Sequence, residues 1–123
     1  ATPAGPVPVA IAPLPVSPAD IRLCHKTSDR SFYDTARAAS GAFEVLFTHP
    51  DGDLTEGSFT CLFVERDGML LTPPLSRGLL PGVLRRALIE EGRAVEAELT
   101  VEDLAGGFLI GNSLRGLMRA VIA

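Results

Sequence analysis

Six of the ten prolines stand within the first eighteen positions: Pro3, Pro6, Pro8, Pro13, Pro15 and Pro18. Each lacks a backbone amide donor and fixes φ, so a segment this dense in proline forms neither a helix nor a central strand. Residues 1–18 therefore read as a linker running into an edge strand, an interdomain joint behind which 19–123 folds as one unit. A chain of 123 residues is within the usual size of a single domain and buries a moderate core.

Beyond the prolines, short elements alternate with turn residues. Ser28 or Asp29 caps a short helix over Arg30–Ala39 that puts Phe32, Ala36 and Ala39 on one face, and Gly41 stops it. Phe43–Thr48 alternates and is β-prone, Pro50-Asp51-Gly52-Asp53 turns, and Phe59–Glu65 runs through Asp67-Gly68 into Met69–Thr72. The expectation is an antiparallel meander. Pro81-Gly82 opens a helix over Val83–Glu91, Ala94–Leu99 reads as a strand, and Thr100–Asp103 as a capped helical turn. Phe108–Ile110 is a buried strand ending in Gly111-Asn112-Ser113, and Leu117–Ile122 is the last strand. Helices mixed with a meander give an α+β domain.

Composition removes several classes of partner. Eleven basic residues against fifteen acidic ones leave a net charge of −4, without the basic footprint of a nucleic-acid binder. No stretch reaches the roughly 18–20 apolar residues a membrane helix needs, so the apolar 46% of the chain points to a surface covered by another subunit or domain. Cys24 and Cys61 are too isolated for a disulfide framework and read as small buried hydrophobes in a reducing cytoplasm. No HExxH, Walker loop or GxGxxG is present, and His25 and His49 lack metal-ligand spacing, which disfavours metal catalysis.

Lys26 is the only lysine; the other ten cations are arginines. It adjoins apolar Leu23 and Cys24 and precedes a helix start whose positive end disfavours an ammonium. Such a setting lowers an amine's pKa and equips it to condense with an aldehyde, although a surface lysine is the bland reading. Glu56, beside Gly57, is either a solvated hairpin carboxylate or one that holds a proton on a heteroaromatic nitrogen. Gly82-Val83-Leu84 offers free amides at a helix start and Gly111-Asn112-Ser113-Leu114 a polar turn after a strand, both suited to a phosphate.

Taken in order, His25-Lys26-Thr27 with Arg30, Thr55-Glu56-Gly57-Ser58, Gly78-Leu79-Leu80-Pro81-Gly82-Val83-Leu84-Arg85 and Asn112-Ser113-Leu114-Arg115-Gly116 resemble the C-terminal domain of the class IV aminotransferase family, the pyridoxal-phosphate enzymes of fold type IV. Within that family the resemblance is closest to aminodeoxychorismate lyases, in particular those fused behind a synthase component of 4-aminobenzoate synthesis. The resemblance implies pyridoxal 5'-phosphate as cofactor and Lys26 as the catalytic Schiff-base lysine. It implies that Glu56 faces the pyridine nitrogen, Leu80 packs on the ring, the Val83 and Leu84 amides hold the phosphate, and Asn112 and Ser113 form a second phosphate turn.

The implied reaction converts 4-amino-4-deoxychorismate to 4-aminobenzoate and pyruvate for folate synthesis. Two alternatives stand beside it: a transaminase for D-amino or branched-chain acids, and a non-catalytic or dimerisation fragment. The branched-chain enzymes carry Gly-Gly-Asn-Tyr after the lysine where this chain has Thr27-Ser28-Asp29-Arg30, which favours the lyase. Cys61 stands where the family has an asparagine. The resemblance further implies a cytoplasmic homodimer acting on a small molecule, with an N-terminal domain or synthase component outside this chain. On that expectation the isolated fragment is inactive.

Overall fold

The computed structural model describes residues 6–13, 31–74 and 82–122. Strand β1 (Val7–Pro13) is followed by helix α1 (Ser31–Ser40), β2 (Glu44–Thr48), β3 (Leu54–Gly57), β4 (Cys61–Arg66) and β5 (Met69–Thr72). Then come helix α2 (Val83–Glu90), β6 (Ala94–Glu96), a 3-10 turn (Val101–Leu104), β7 (Phe108–Asn112) and β8 (Gly116–Ile122). The strands form one mixed sheet in the order β3-β2-β1-β8-β7-β4-β5-β6, an α+β architecture.

The described part of the proline-rich start, β1, is not at an edge. β1 runs parallel to both β2 and β8, in the interior of the sheet. Its two pairings are staggered: Val7–Val9 face Ala120–Ile122 of β8, while Val9–Pro13 face Glu44–Thr48 of β2. Only Val9 is flanked on both sides, and Pro8 and Pro13 sit where one ladder has yet to begin or has already ended. Pro8 contributes its carbonyl, which accepts from Phe43 N–H at 3.1 Å. Staggering thus lets an interior strand tolerate the missing donors.

The meander is also replaced. β2 and β3 form a hairpin at one end of the sheet and β4 and β5 another near the opposite end, with β1, β8 and β7 between them. The β4–β5 hairpin is where the Asp-Gly signal placed it, both Asp67 (φ 53°) and Gly68 (φ 80°) being in the left-handed region that such a two-residue turn demands. Of the three parallel pairings, the two between strands consecutive in the chain, β1 with β2 and β5 with β6, each require a crossover, and these include α1 and α2.

Alternation along the strands builds two faces. Val9, Leu46, Leu62, Val64, Ile110 and Met118 point to the inner core, closed below by Leu99 and Leu104. The sheet curls until Leu54 N–H, on β3, donates to Leu99 C=O just beyond β6 at 2.6 Å. On the outer face α1 lays Tyr33 flat on Phe47, with ring centroids 4.3 Å apart, against Val45 and Ala10. Tyr33 and Ala36 are therefore the buried stripe, and Ala39 is exposed. The Phe32 side chain lies outside the described residues. Helix α2 covers Phe63, Leu70 and Ala94 through Leu88 and Leu84.

Two polar ties fix this frame. The turn expected at Thr100 is a 3-10 turn in which Thr100 N–H donates to the Asp103 carboxylate at 2.9 Å, and Arg66 pairs with the same carboxylate at 3.0 Å. The Thr100 amide first, and Arg66 next, hold the Asp103 pKa below its ordinary value. Arg85, buried on α2, donates to Pro73 C=O at 3.1 Å and pairs with Glu96, clamping the helix to the ends of β5 and β6. Among the described residues no helix is long and apolar enough to cross a membrane.

Candidate active site

Glu56 lies on β3 with only 5% of its surface exposed, so it is not a solvated hairpin carboxylate. Short β3 holds it in place, paired with β2 through Leu46↔Gly57 and Thr48↔Leu54. The loop that follows, Ser58–Thr60, wraps a second carboxylate, Glu44, which is fully buried at the head of β2. Glu44 Oε1 accepts from Val45 N–H at 2.7 Å, Ser58 N–H at 2.9 Å and Ser58 Oγ at 2.5 Å. Oε2 accepts from Phe59 N–H at 3.1 Å and Thr60 Oγ1 at 2.7 Å.

Glu44 did not emerge from sequence reasoning. Its only signal is an acid at the first position of the apolar run Val45-Leu46-Phe47, which a strand buries on both faces.

Across the cleft from Glu56, α2 begins at Gly82, an extended residue (φ −67°, ψ 153°) with no side-chain cap bond. Arg86 N–H makes the first helical bond, to Gly82 C=O, so the amides of Val83 and Leu84 stand ahead of any intrahelical acceptor. The dipole adds partial positive charge at that end. A side chain on Gly82 would bring its Cβ to 3.2 Å from Cys61 Sγ, so glycine lets the helix start close on β4.

The β7–β8 turn supplies the third wall. Asn112 Oδ1 accepts from Leu114 N–H at 3.1 Å and Arg115 N–H at 2.8 Å, while its Nδ2 donates to Phe59 C=O at 3.0 Å. Asn112 thus shapes its own turn and ties it to the loop beside Glu56; Ser113 stays exposed at the rim. Phe59, held at both its amide and its carbonyl, lies under the guanidinium groups of Arg37 (4.8 Å) and Arg115 (5.5 Å).

These walls enclose a cleft of about 330 Å³. Glu56, Val83, Leu84, Asn112 and Ser113 all line it, brought together from β3, α2 and the β7–β8 turn although they span 57 positions of sequence. Lys26 and Leu80, the other two residues singled out in the sequence, lie outside the described residues. Chemically the lining combines a buried acidic residue with the leading amides of a helix. That donor set suits a ligand with an anionic group at one end and a protonatable ring nitrogen at the other. Pyridoxal phosphate has this polarity.

Several known proteins resemble this chain. A provisionally assigned aminodeoxychorismate lyase of Schizosaccharomyces pombe is 33% identical over 88 residues, 68% of this chain and 38% of its own length. The branched-chain-amino-acid aminotransferase of Salmonella typhimurium is 32% identical over 65 residues, 53% of this chain and 21% of its own. In the crystal structure of a provisionally assigned amino-acid aminotransferase from Mesorhizobium loti, 63% of that chain superposes on all of this one with a TM-score of 0.89 and 39% identity. The matched stretches span well under half the length of the two curated relatives. The model of the family described as amino-transferase class IV matches residues 2–122. With nearly its whole length matched, this chain belongs to the class IV aminotransferases, a family of pyridoxal-phosphate-dependent enzymes of fold type IV.

Proposed function

We propose that this chain is the cofactor-bearing part of an aminodeoxychorismate lyase, converting 4-amino-4-deoxychorismate to 4-aminobenzoate and pyruvate. The observation that carries the cofactor site is the convergence of Glu56, the Val83 and Leu84 amides and the Asn112-Ser113 turn on one cleft. For the lyase, support comes from the S. pombe relative, whose match extends over 68% of this chain, and from Thr27-Ser28-Asp29-Arg30 after the lysine.

Each residue then has a task. Bound pyridoxal phosphate supplies an electron sink conjugated to the substrate amine. The Val83 and Leu84 amides and the Asn112-Ser113 turn hold the phosphate, and Leu80 packs on the ring. Glu56, desolvated on β3, keeps the proton on the pyridine nitrogen and so deepens the sink. Lys26 holds the cofactor through its Nζ. Freed when the substrate amine takes its place, that nitrogen would take the proton from the amine-bearing ring carbon; the ring's carbon–oxygen bond would break as the ring becomes aromatic, and the leaving enolpyruvate would take up that proton at its methylene carbon to become pyruvate. The remainder of the pocket comes from residues outside this chain and from a second copy in a homodimer. A reducing cytoplasm suits the buried thiol of Cys61.

A transaminase acting on branched-chain or D-amino acids is the second reading, favoured by the 39% identity to the M. loti structure. Incubating the intact protein with aminodeoxychorismate and following 4-aminobenzoate by fluorescence separates the two. Amine transfer to a 2-oxo acid without 4-aminobenzoate overturns the lyase.

A further inference from the structure

Glu44 is placed where a stable core has no need of a charge. It sits fully buried on the inner face of β2, on the same side as Leu46, and among the described residues no cation pairs with it. A buried carboxylate without an ion pair is costly unless hydrogen bonds satisfy it, and an apolar side chain of similar volume is commonly neutral or stabilising in its place. Here the satisfaction is complete and one-sided. Among the described residues, every donor to Glu44 except Val45 N–H comes from Ser58, Phe59 or Thr60, the loop two to four positions beyond Glu56.

Gly57 shows how tightly strand and carboxylate are fitted. A Cβ there would be 2.4 Å from Glu44 Oε2 and 2.8 Å from Thr60 Oγ1, so the backbone next to Glu56 passes directly over the carboxylate. The same loop passes the constraint onward, because Phe59 C=O accepts from Asn112 Nδ2 at 3.0 Å. One buried group therefore fixes both the strand end that carries Glu56 and the loop against which the Asn112 turn is docked.

We propose that Glu44 is a positioning residue for the cofactor site, a buried carboxylate that sets the direction of Glu56 by holding the β3–β4 loop. The proposal rests on the cofactor reading above, and its test separates the two.

Glu44→Gln keeps the shape and converts one acceptor into a donor. If the new NH2 replaces Oε1 it meets the Val45 and Ser58 amides; if it replaces Oε2 it meets the Phe59 amide and the Thr60 hydroxyl. The hydroxyl can turn round and accept, but an amide cannot. The milder arrangement thus strands Phe59 N–H.

The first arm measures amide hydrogen exchange in the intact protein without cofactor. Phe59 and Ser58 amides exchange roughly ten- to a hundredfold faster in Glu44→Gln, the scale of one stranded buried donor, while the β7 amides are unchanged. In the second arm, pyridoxal phosphate is added and the absorbance of the lysine-bound cofactor is titrated against pH. The titration midpoint moves by about one pH unit and cofactor affinity falls about tenfold. Leu46→Ala, on the same strand and face, lowers the melting temperature without moving either cofactor readout.

Unchanged Phe59 exchange in Glu44→Gln overturns the proposal, as do cofactor shifts in Leu46→Ala as large as those in Glu44→Gln. If the wild-type protein takes up no pyridoxal phosphate, the cofactor reading falls, and faster exchange then confines Glu44 to ordering the loop. Should Glu44→Gln fail to accumulate as folded protein, Thr60→Val removes one donor at constant shape. It gives the same shifts in smaller degree or overturns the proposal.

Discussion

Gly111→Ala offers the sharpest test of how the cleft is assembled. Gly111 is the penultimate residue of β7, opposite Leu117 of β8 and beside α2. A Cβ built there lies 2.4 Å from Gly116 C=O and 3.1 Å from Leu84 Cδ2, where ordinary contact begins at 3.4 Å. Leu84 can rotate away. The Gly116 carbonyl cannot, because it belongs to the backbone that closes the β7–β8 turn through the Asn112↔Gly116 pair. The methyl group must therefore force the turn about 1 Å outward, and overpacking of this kind costs about 2–3 kcal/mol. For a domain of this size the melting temperature falls by about 5–15 °C. Gly106→Ala is the control, since a Cβ there meets nothing within 4 Å and its φ is not in the left-handed range; its effect stays within about 0.5 kcal/mol. Thermal denaturation followed by circular dichroism, with a pyridoxal-phosphate titration of each variant, reads both effects. A Gly111→Ala melting temperature within about 2 °C of wild type would refute the geometry. So would an equal loss in Gly106→Ala.

Two further substitutions probe the site and the frame. Glu56→Gln retains pyridoxal phosphate but slows turnover about a hundredfold, as expected when one preorganised electrostatic partner is lost; single-turnover absorbance measurements separate binding from chemistry. Asp103 has a lowered pKa from the Thr100 amide and Arg66, so its contribution to stability is present above the ordinary aspartate value and is lost as pH falls through its depressed folded value. Melting curves between about pH 2 and pH 6 should therefore show Asp103→Asn less stable than wild type at the upper end, the two converging at the lower.

How much was legible in the chain depended on how local the cause was. Asp67-Gly68 acts through its own dihedral preferences, and the hairpin is where those residues put it; α2 likewise starts just after Gly82, where the sequence placed it. Thr100 and Asp103 satisfy each other within one turn and were equally readable. Strand order was not. Nothing within Val7–Pro13 announces β2 and β8 as its neighbours, and counting missing donors without knowing where each ladder starts made an interior strand look like an edge. Tyr33 displaced Ala39 from the buried face because Phe47, fourteen positions away, offered a ring to stack on. The cleft was legible in part. Glu56, Val83, Leu84, Asn112 and Ser113 carry chemistry that shows in short motifs, whereas Glu44 and Arg85 acquire meaning only from partners on other elements.

The proposed function turns on Lys26 as the residue that holds pyridoxal phosphate. The intact protein, incubated with the cofactor, reduced with borohydride and digested, should yield a phosphopyridoxyl adduct on the peptide containing Lys26, the only lysine of this chain, and none there in Lys26→Ala. A wild-type protein that yields no adduct, or an adduct on this chain that persists in Lys26→Ala, would contradict it.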